Sequence, residues 1–483
     1  MNAKPIVAAI GLSAAAIGVG QLSAAPGDPR STDAPAPTAA AAPVGEQRFD
    51  VEPQGGIPDV IVFKISGYVN YSQAPYRAYA VGTTSCNIGD VPLVWQGNNN
   101  QHPVIGQNMF RLAAGPNGHA RFEHIGQSWL KHGFCALDLS ECGQCQGTGC
   151  SSLGVGCSDP YSASLNGSQS GAGPKWQVNS TNGFFPYPPA NPSYSGQVAR
   201  RLRVAQADVD QQVHDDAEFF VEAQYVCPDE NPEIDVVNAR NNVSWRQISM
   251  NFAGAINGYV GDTQIGEAAV FAWKAADPEV EITTVTVPGE GTIYVASRVY
   301  DNGDGTWDYE YAVQNQDVHR SVGSFTVPVS SGAAVSGEGF SDVDYHSGEP
   351  FDDTDWESGR LGDELTWATV DHADDPNGNA IRWGTLYNFR FTADASPVDG
   401  EVVLGMFMPG TPEAVAAAAP VPAEIAAPCP ADLDGSGEVD FDDLVTMLSA
   451  WGDCAGCPED LDGSGSVGFD DLLELLGLYG PCP

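Results

Sequence analysis

The chain has 483 residues, 42% of them apolar and only 17% charged, with 55 glycines and 35 prolines. That apolar content suffices for packed cores, and the glycine and proline predict many turns and little long helix, hence a mainly β chain. The formal net charge of −43 excludes a nucleic-acid backbone binder, whose affinity comes from Lys and Arg displacing counterions. It also disfavours docking on anionic lipid, and suits a solvated acidic surface and divalent cations.

Residues 1–24 read as a secretory signal: Lys4 gives a short basic region, Ile6 through Gly20 an apolar Ala-rich stretch, and Ser23, Ala24 and Ala25 the small residues of a cleavage site. Cleavage after Ala24 fits best, because a cut one residue later leaves Pro26 first. The apolar stretch is too short to span a bilayer comfortably, and no later segment approaches a span. The mature chain is therefore expected in the extracellular space or at the cell surface, without membrane insertion, where disulfides persist. Residues 25–49 collapse to Ala, Pro, Thr and Asp and predict a linker with nothing to bury.

Residues 50–278 predict a cysteine-containing β-rich domain. Its strand-like runs are DVIVFKISGYVNY from Asp59, AYAVG, PLVWQG, and FFVEAQYVC ending at Cys227. Seven cysteines fall here: Cys86, Cys135, Cys142, Cys145, Cys150, Cys157 and Cys227. In an exported chain the crowded Gly-rich segment predicts a disulfide-stapled loop, with Cys142-x-x-Cys145 leaving a zinc reading open, and the odd count leaves one thiol free or paired between chains. His124 and His132, with His102 and His119 shortly before, are either packed histidines or ligands for copper or zinc.

Residues 279–410 predict an antiparallel β-sandwich, although one composite β domain with the preceding part is also compatible with the sequence. Thr292 to Asn315 alternates on both sides of Asn302-Gly303-Asp304-Gly305, a strong hairpin signal, and GSFTVPV and RWGTLYNFRFTAD follow. In the stretch from Asp342 to Trp356, a two-residue period would place Asp342, Asp344 and His346 on one strand face, with Glu349, Asp352, Asp353 and Asp355 in the turn after it. Such a set serves acid–base catalysis at glycosidase-like carboxyl separation, a cation site, or a loop paired with Arg320, Arg360 or Arg382. No G-x-S-x-G, H-E-x-x-H or phosphate-cradling glycine loop is present. Residues 411–428, TPEAVAAAAPVPAEIAAP, read as a second Ala/Pro linker.

Residues 429–483 contain two head-to-tail copies of one unit, with a period of 28 and 16 of 27 aligned positions identical. Asp432, Asp434 and Ser436 occupy positions 1, 3 and 5 of a cation loop, Gly437 permits the turn, Glu438 offers its carbonyl, Asp440 can hold a water, and Asp443 closes the site. Asp460, Asp462, Ser464, Gly465, Ser466 and Asp471 repeat the series. A hard cation such as calcium wants six to eight oxygens around one point, and a loop that returns on itself delivers them from one short segment. Two calcium ions are expected, the first bound tighter because Asp440 faces Gly468 in the second copy. Val439 and Val467 are expected to pair the loops with each other. Leu444, Val445, Met447, Leu448 and Trp451, and Leu472, Leu473, Leu475, Leu476 and Tyr479, give two helices whose apolar stripes are expected to bury one another. With 13 acidic residues and no Lys or Arg, folding should be coupled to metal binding.

The duplicated D-x-D-x-S-G-x-V-x-F-x-D pattern resembles the dockerin type I module, in the Cys-framed, Gly-rich variant of bacterial exported proteins. The resemblance covers the tail alone and implies docking onto a cohesin-like partner, often in polysaccharide-degrading assemblies. Phe441-Asp442 and Phe469-Asp470 stand where such modules read their partner and usually carry smaller or hydroxylated pairs. The four tail cysteines allow three pairings; repeat symmetry and the meeting of dockerin termini favour Cys429 with Cys482 and Cys454 with Cys457. Two readings of the body follow: a β-rich binding or structural unit of unknown ligand, or a carbohydrate-active enzyme acting on polysaccharide and delivered by the same tail. The lack of a recognisable catalytic motif favours the first.

Overall fold

The computed structural model describes residues 56–481, apart from 116, 134, 193–194, 347, 424–428 and 455. The expected signal and first linker lie outside the described residues. The fold is mainly β, as expected.

The first sheet is antiparallel. In spatial order its main strands are Val60–Gln73, Tyr76–Asn87, Leu202–Ala205, Ala120–Gln127, Val104–Ala114, Glu218–Val226, Val243–Met250 and Ile256–Ile265. Alternation sorts its side chains into two cores. In Glu218–Val226, Phe219, Val221, Ala223 and Tyr225 join one core while Phe220 joins the other. The sheet also curls, so that Asn70 of its first strand exchanges two hydrogen bonds of 2.9 Å with the backbone of Ile256 in its last.

The β-sandwich follows. One sheet runs Glu281–Val287, Gly291–Asp301, Trp307–Asn315, Thr385–Ala393 and Val335–Ser341. The other runs Glu357–Leu361, Glu364–Ala368, Val322–Pro328, Pro397–Met406 and Ala414–Pro422. The expected hairpin forms with Asp301 opposite Trp307, and Gly303 and Gly305 adopt φ of 73° and 89°, backbone angles a side chain would oppose. Both faces of its first strand are buried. Ile293 and Val295 point into the sandwich core, whereas Tyr294 and Ala296 pack with Phe110, Phe122, Phe220 and Trp245 of the first sheet. The body therefore has three packed layers, and the buried Arg121–Glu310 ion pair at 2.7 Å crosses the same boundary.

Residues 411–428 are not simply a linker. Ala414–Pro422 pairs with Pro397–Met406 from Gly405↔Ala414 to Pro397↔Pro422. Ala417, Ala419 and Val421 alternate into the sandwich core, and the strand lies at an edge, where proline is tolerated. Small apolar side chains that look like spacer composition are what a closely packed edge requires. Residues 424–428 lie outside the described ones.

Six of the seven body cysteines form disulfides, Cys86–Cys142, Cys135–Cys150 and Cys145–Cys157, and Cys227 is a buried free thiol. The stapled-loop expectation holds. The zinc reading of Cys142 and Cys145 does not, because each sulfur is bonded elsewhere.

Candidate functional site

Each tail repeat is a loop followed by a nine-residue helix, Phe441–Ser449 and Phe469–Gly477. The small core between them is Ala431, Val439, Met447, Val467 and Leu475. Two expectations are corrected here. The loop strands do not pair with each other. Glu438–Val439 pairs with Gly480–Pro481, and Ser466–Val467 with Gly452–Asp453, so each loop is tied to the segment after the other repeat's helix. Nor do the helices bury their whole stripes. Met447 and Leu475 are fully buried and Leu444 and Leu472 half-buried, while Val445, Leu448, Trp451, Leu473, Leu476 and Tyr479 are exposed, as are Phe441 and Phe469. The expected stripe was wider than one contact. Positions 443, 444 and 447 form the inner edge, and 441, 445 and 448 wind onto the outer face.

Carboxylate oxygens of Asp432, Asp434 and Asp443 lie within 4.8 Å of one another, and those of Asp460, Asp462 and Asp471 do the same. Backbone N–H groups organise both sets. Ser436 N donates to Asp432 at 3.0 Å and to Asp434 at 2.9 Å, and Gly437 N donates to Asp432 at 2.9 Å. Asp443 accepts from Leu433, Asp434 and Asp440. Burial alone would raise its pKa, yet these N–H groups hold it below the usual carboxylate range. Asp471 is held down in the same way, first by Asp462 N and then by Gly468 N.

The Ser436 hydroxyl donates to the Glu438 carbonyl and the Ser464 hydroxyl to the Ser466 carbonyl, each at 3.1 Å. Asp440 is not in the carboxylate cluster; it caps the first helix by accepting from Asp442 N at 2.8 Å. One observation tests whether a cation suits the donors: Oδ1 of Asp460 is buried with no hydrogen-bond partner, an acceptor left without a donor. The donor set, all oxygen, suits a hard divalent ion.

Two other three-residue clusters, Asp138 with Cys145 and Cys157, and Glu459 with Cys454 and Cys457, have their sulfurs in disulfides. The Cys454–Cys457 bridge is one half of the favoured pairing; Cys429 is disulfide-bonded, and Cys482 lies outside the described residues.

The histidines that meet are His102 and His132, 3.4 Å apart between ring nitrogens. His124 is held by the Gly126 carbonyl and the Leu386 amide and stacks on Phe110. Among the described residues no histidine joins a cluster of three ligands. The described residues of the segment 342–355 are irregular rather than a strand. Asp344, Asp352, Asp353 and Asp355 are exposed, while His346 is buried against the Arg201 carbonyl at 2.9 Å. Burial lifts Asp342 to about 6. Arg320 pairs with Glu290 and Arg360 bonds backbone carbonyls. Glu349 instead enters a cavity of about 310 Å³ with Gln127, Lys175, Trp176, Arg382 and Trp383, a grouping no sequence motif announced.

Compared with known protein families and with curated proteins, the chain matches none.

Proposed function

We propose that this is an exported modular protein whose tail binds two calcium ions and docks the β-rich body onto a cohesin-like protein partner. The observation that carries the reading is the pair of three-carboxylate loops, built alike from backbone N–H donors, with an orphaned buried oxygen on Asp460. Export is supported by the disulfides, which persist in oxidising compartments, and among the described residues no helix is long and apolar enough to cross a membrane. The docking face is the duplicated apolar set on the outer sides of the helices, Phe441, Val445 and Leu448 with Phe469, Leu473 and Leu476. Exposed apolar patches of this kind mark interaction sites. The body is read as a binding unit because its cavity is lined by one carboxylate, Glu349, rather than a facing pair.

Calorimetric titration of the full chain should find two calcium ions per chain, and chelation should abolish binding to a panel of cohesin domains. Leu448→Asp with Leu476→Asp should abolish docking with calcium uptake intact. Absence of calcium uptake would end the reading; uptake without cohesin binding would end the choice of partner.

A further inference from the structure

The body cavity is built from elements remote in sequence. Gln127 ends a strand of the first sheet, Lys175 and Trp176 lie in the short turn Lys175–Gln177, Glu349 belongs to the irregular segment, and Arg382 and Trp383 precede Thr385–Ala393. Its cations are buried. Lys175 is 6% exposed; its Nζ donates to Gln127 Oε1 and to the Gly384 carbonyl, both at 3.0 Å, and sits 5.0 Å from the centre of the Trp383 ring. Arg382 is also 6% exposed and lies over the rings of Phe351 and Phe407 at 4.0 and 4.7 Å. Its Nη2 donates to the Pro376 and Gly378 carbonyls, while Nε is buried without a partner.

Of the lining residues one carboxylate, Glu349, stands against these two cations, and Glu222, buried outside the lining, also acts on Lys175. Burial pushes Glu349 up to about 7, with Lys175 acting the other way, so near neutrality it carries only part of its charge. Burial likewise brings Lys175 down to about 8, still largely protonated at pH 7. The lining thus carries two cations to one carboxylate, a positive excess inside a chain of net charge −43. Away from water that charge acts strongly on whatever enters, and the spare Nε donor of Arg382 has no acceptor within the protein. Trp176, 37% exposed, Phe351, Pro350 and Met408 give the lining its apolar part, and His319, Ser321, Tyr345, His372 and Asn377 add polar groups. Apolar walls with a few converging polar groups are the usual form of a small-molecule site.

We propose that this cavity binds a small carboxylate carried on a six-membered ring, the carboxylate meeting Lys175 and Arg382 and the ring lying against Trp176. A uronic acid sugar and an aromatic acid share that chemistry. The inference extends the reading of the body as a binding unit and is independent of the tail, so it can stand when calcium uptake fails and fail when calcium uptake stands.

The test titrates the full chain with glucuronate and with benzoate, each beside its neutral methyl ester, followed by calorimetry and tryptophan fluorescence. At least one acid should bind saturably at millimolar concentration or below, and its ester at least about tenfold more weakly, as expected when a buried charge loses its partner. Which acid binds identifies the source. Glu349→Gln should tighten the acid and leave the ester unchanged, and Trp176→Ala, at a partly exposed wall, should weaken both while leaving the melting temperature unchanged. Equal binding of acid and ester, no saturable binding of either acid, or weaker acid binding in Glu349→Gln overturns the proposal.

Discussion

Asp434→Ala separates metal binding from loop structure. The Asp434 side chain is exposed and accepts one backbone hydrogen bond, from Ser436 N at 2.9 Å. Without a cation, losing an exposed group of this kind costs about 0.5 kcal/mol, or about 2–4 °C in the melting temperature of a small domain. With calcium at about 100 times its dissociation constant, a filled loop adds about 2.7 kcal/mol to the folded state, about 10–20 °C on the same conversion. Asp434 supplies one of three clustered carboxylates, so its loss should remove most of the increment of its own loop. Asp443→Ala differs, because its carboxylate also accepts three backbone N–H groups and the tail should melt early with or without metal. Differential scanning calorimetry of the full chain, in chelator and in millimolar calcium, reads both. An Asp434→Ala chain whose calcium-dependent transition rises as far as the parent's would refute the assignment of that carboxylate to the metal.

Two further predictions concern the body. Asp317 is 3% exposed and accepts from Thr292 N at 2.6 Å, and burial pushes its carboxyl up to about 7, with Thr292 N and Arg240 acting the other way. The folded chain keeps this proton where the unfolded chain, at the ordinary 3.8, has released it. Its contribution to stability is thus complete below the ordinary value and is lost as pH rises through 7. Asp317→Asn should flatten that decline by a few kcal/mol; denaturant melts at pH 5 and pH 8 that fall equally for parent and variant would count against it. In the edge strand Ala414–Pro422, Ala419 is 4% exposed and Ala418 faces solvent. Ala419→Asp should cost about 3–5 kcal/mol by burying an unpaired charge and Ala418→Asp about 0.5 kcal/mol or less, whereas an unstructured linker would make the two thermal melts alike.

What the sequence made legible was local. The Asn302–Gly305 turn, flanked by alternating runs, places its own hairpin, and the three clustered carboxylates of each tail loop lie within one short segment, so spacing alone brings them together. Residues whose meaning depends on distant partners stayed hidden. AVAAAAPVP has poor intrinsic strand preference and becomes a strand because Pro397–Met406 supplies its hydrogen bonds and the sandwich core takes its alternate side chains. Of the tail's expected stripe only Met447 and Leu475, with Leu444 and Leu472 in part, are covered, because that depends on how the second helix lies against the first. Gln127, Lys175, Glu349 and Arg382 have no common spacing, and only the packing of the body layers brings them to one cavity.

The same carboxyl chemistry is driven in opposite directions in the two sites, and the cause in each is local. In the tail, backbone N–H groups converge on Asp443 and Asp471 and keep both ionised, although the segment 429–483 has no Lys or Arg. Peptide dipoles thus hold negative charge that no side chain neutralises, and a divalent ion is the simplest species that can. In the body, Glu349 accepts the His346 N–H at 2.9 Å, and burial outweighs this bond and the neighbouring cations, so the carboxyl moves toward neutrality. A partly neutral carboxyl beside Lys175 and Arg382 leaves their positive charge incompletely answered. The first arrangement supports the proposed cation and the second the proposed anion, on a chain whose total charge points only to the first.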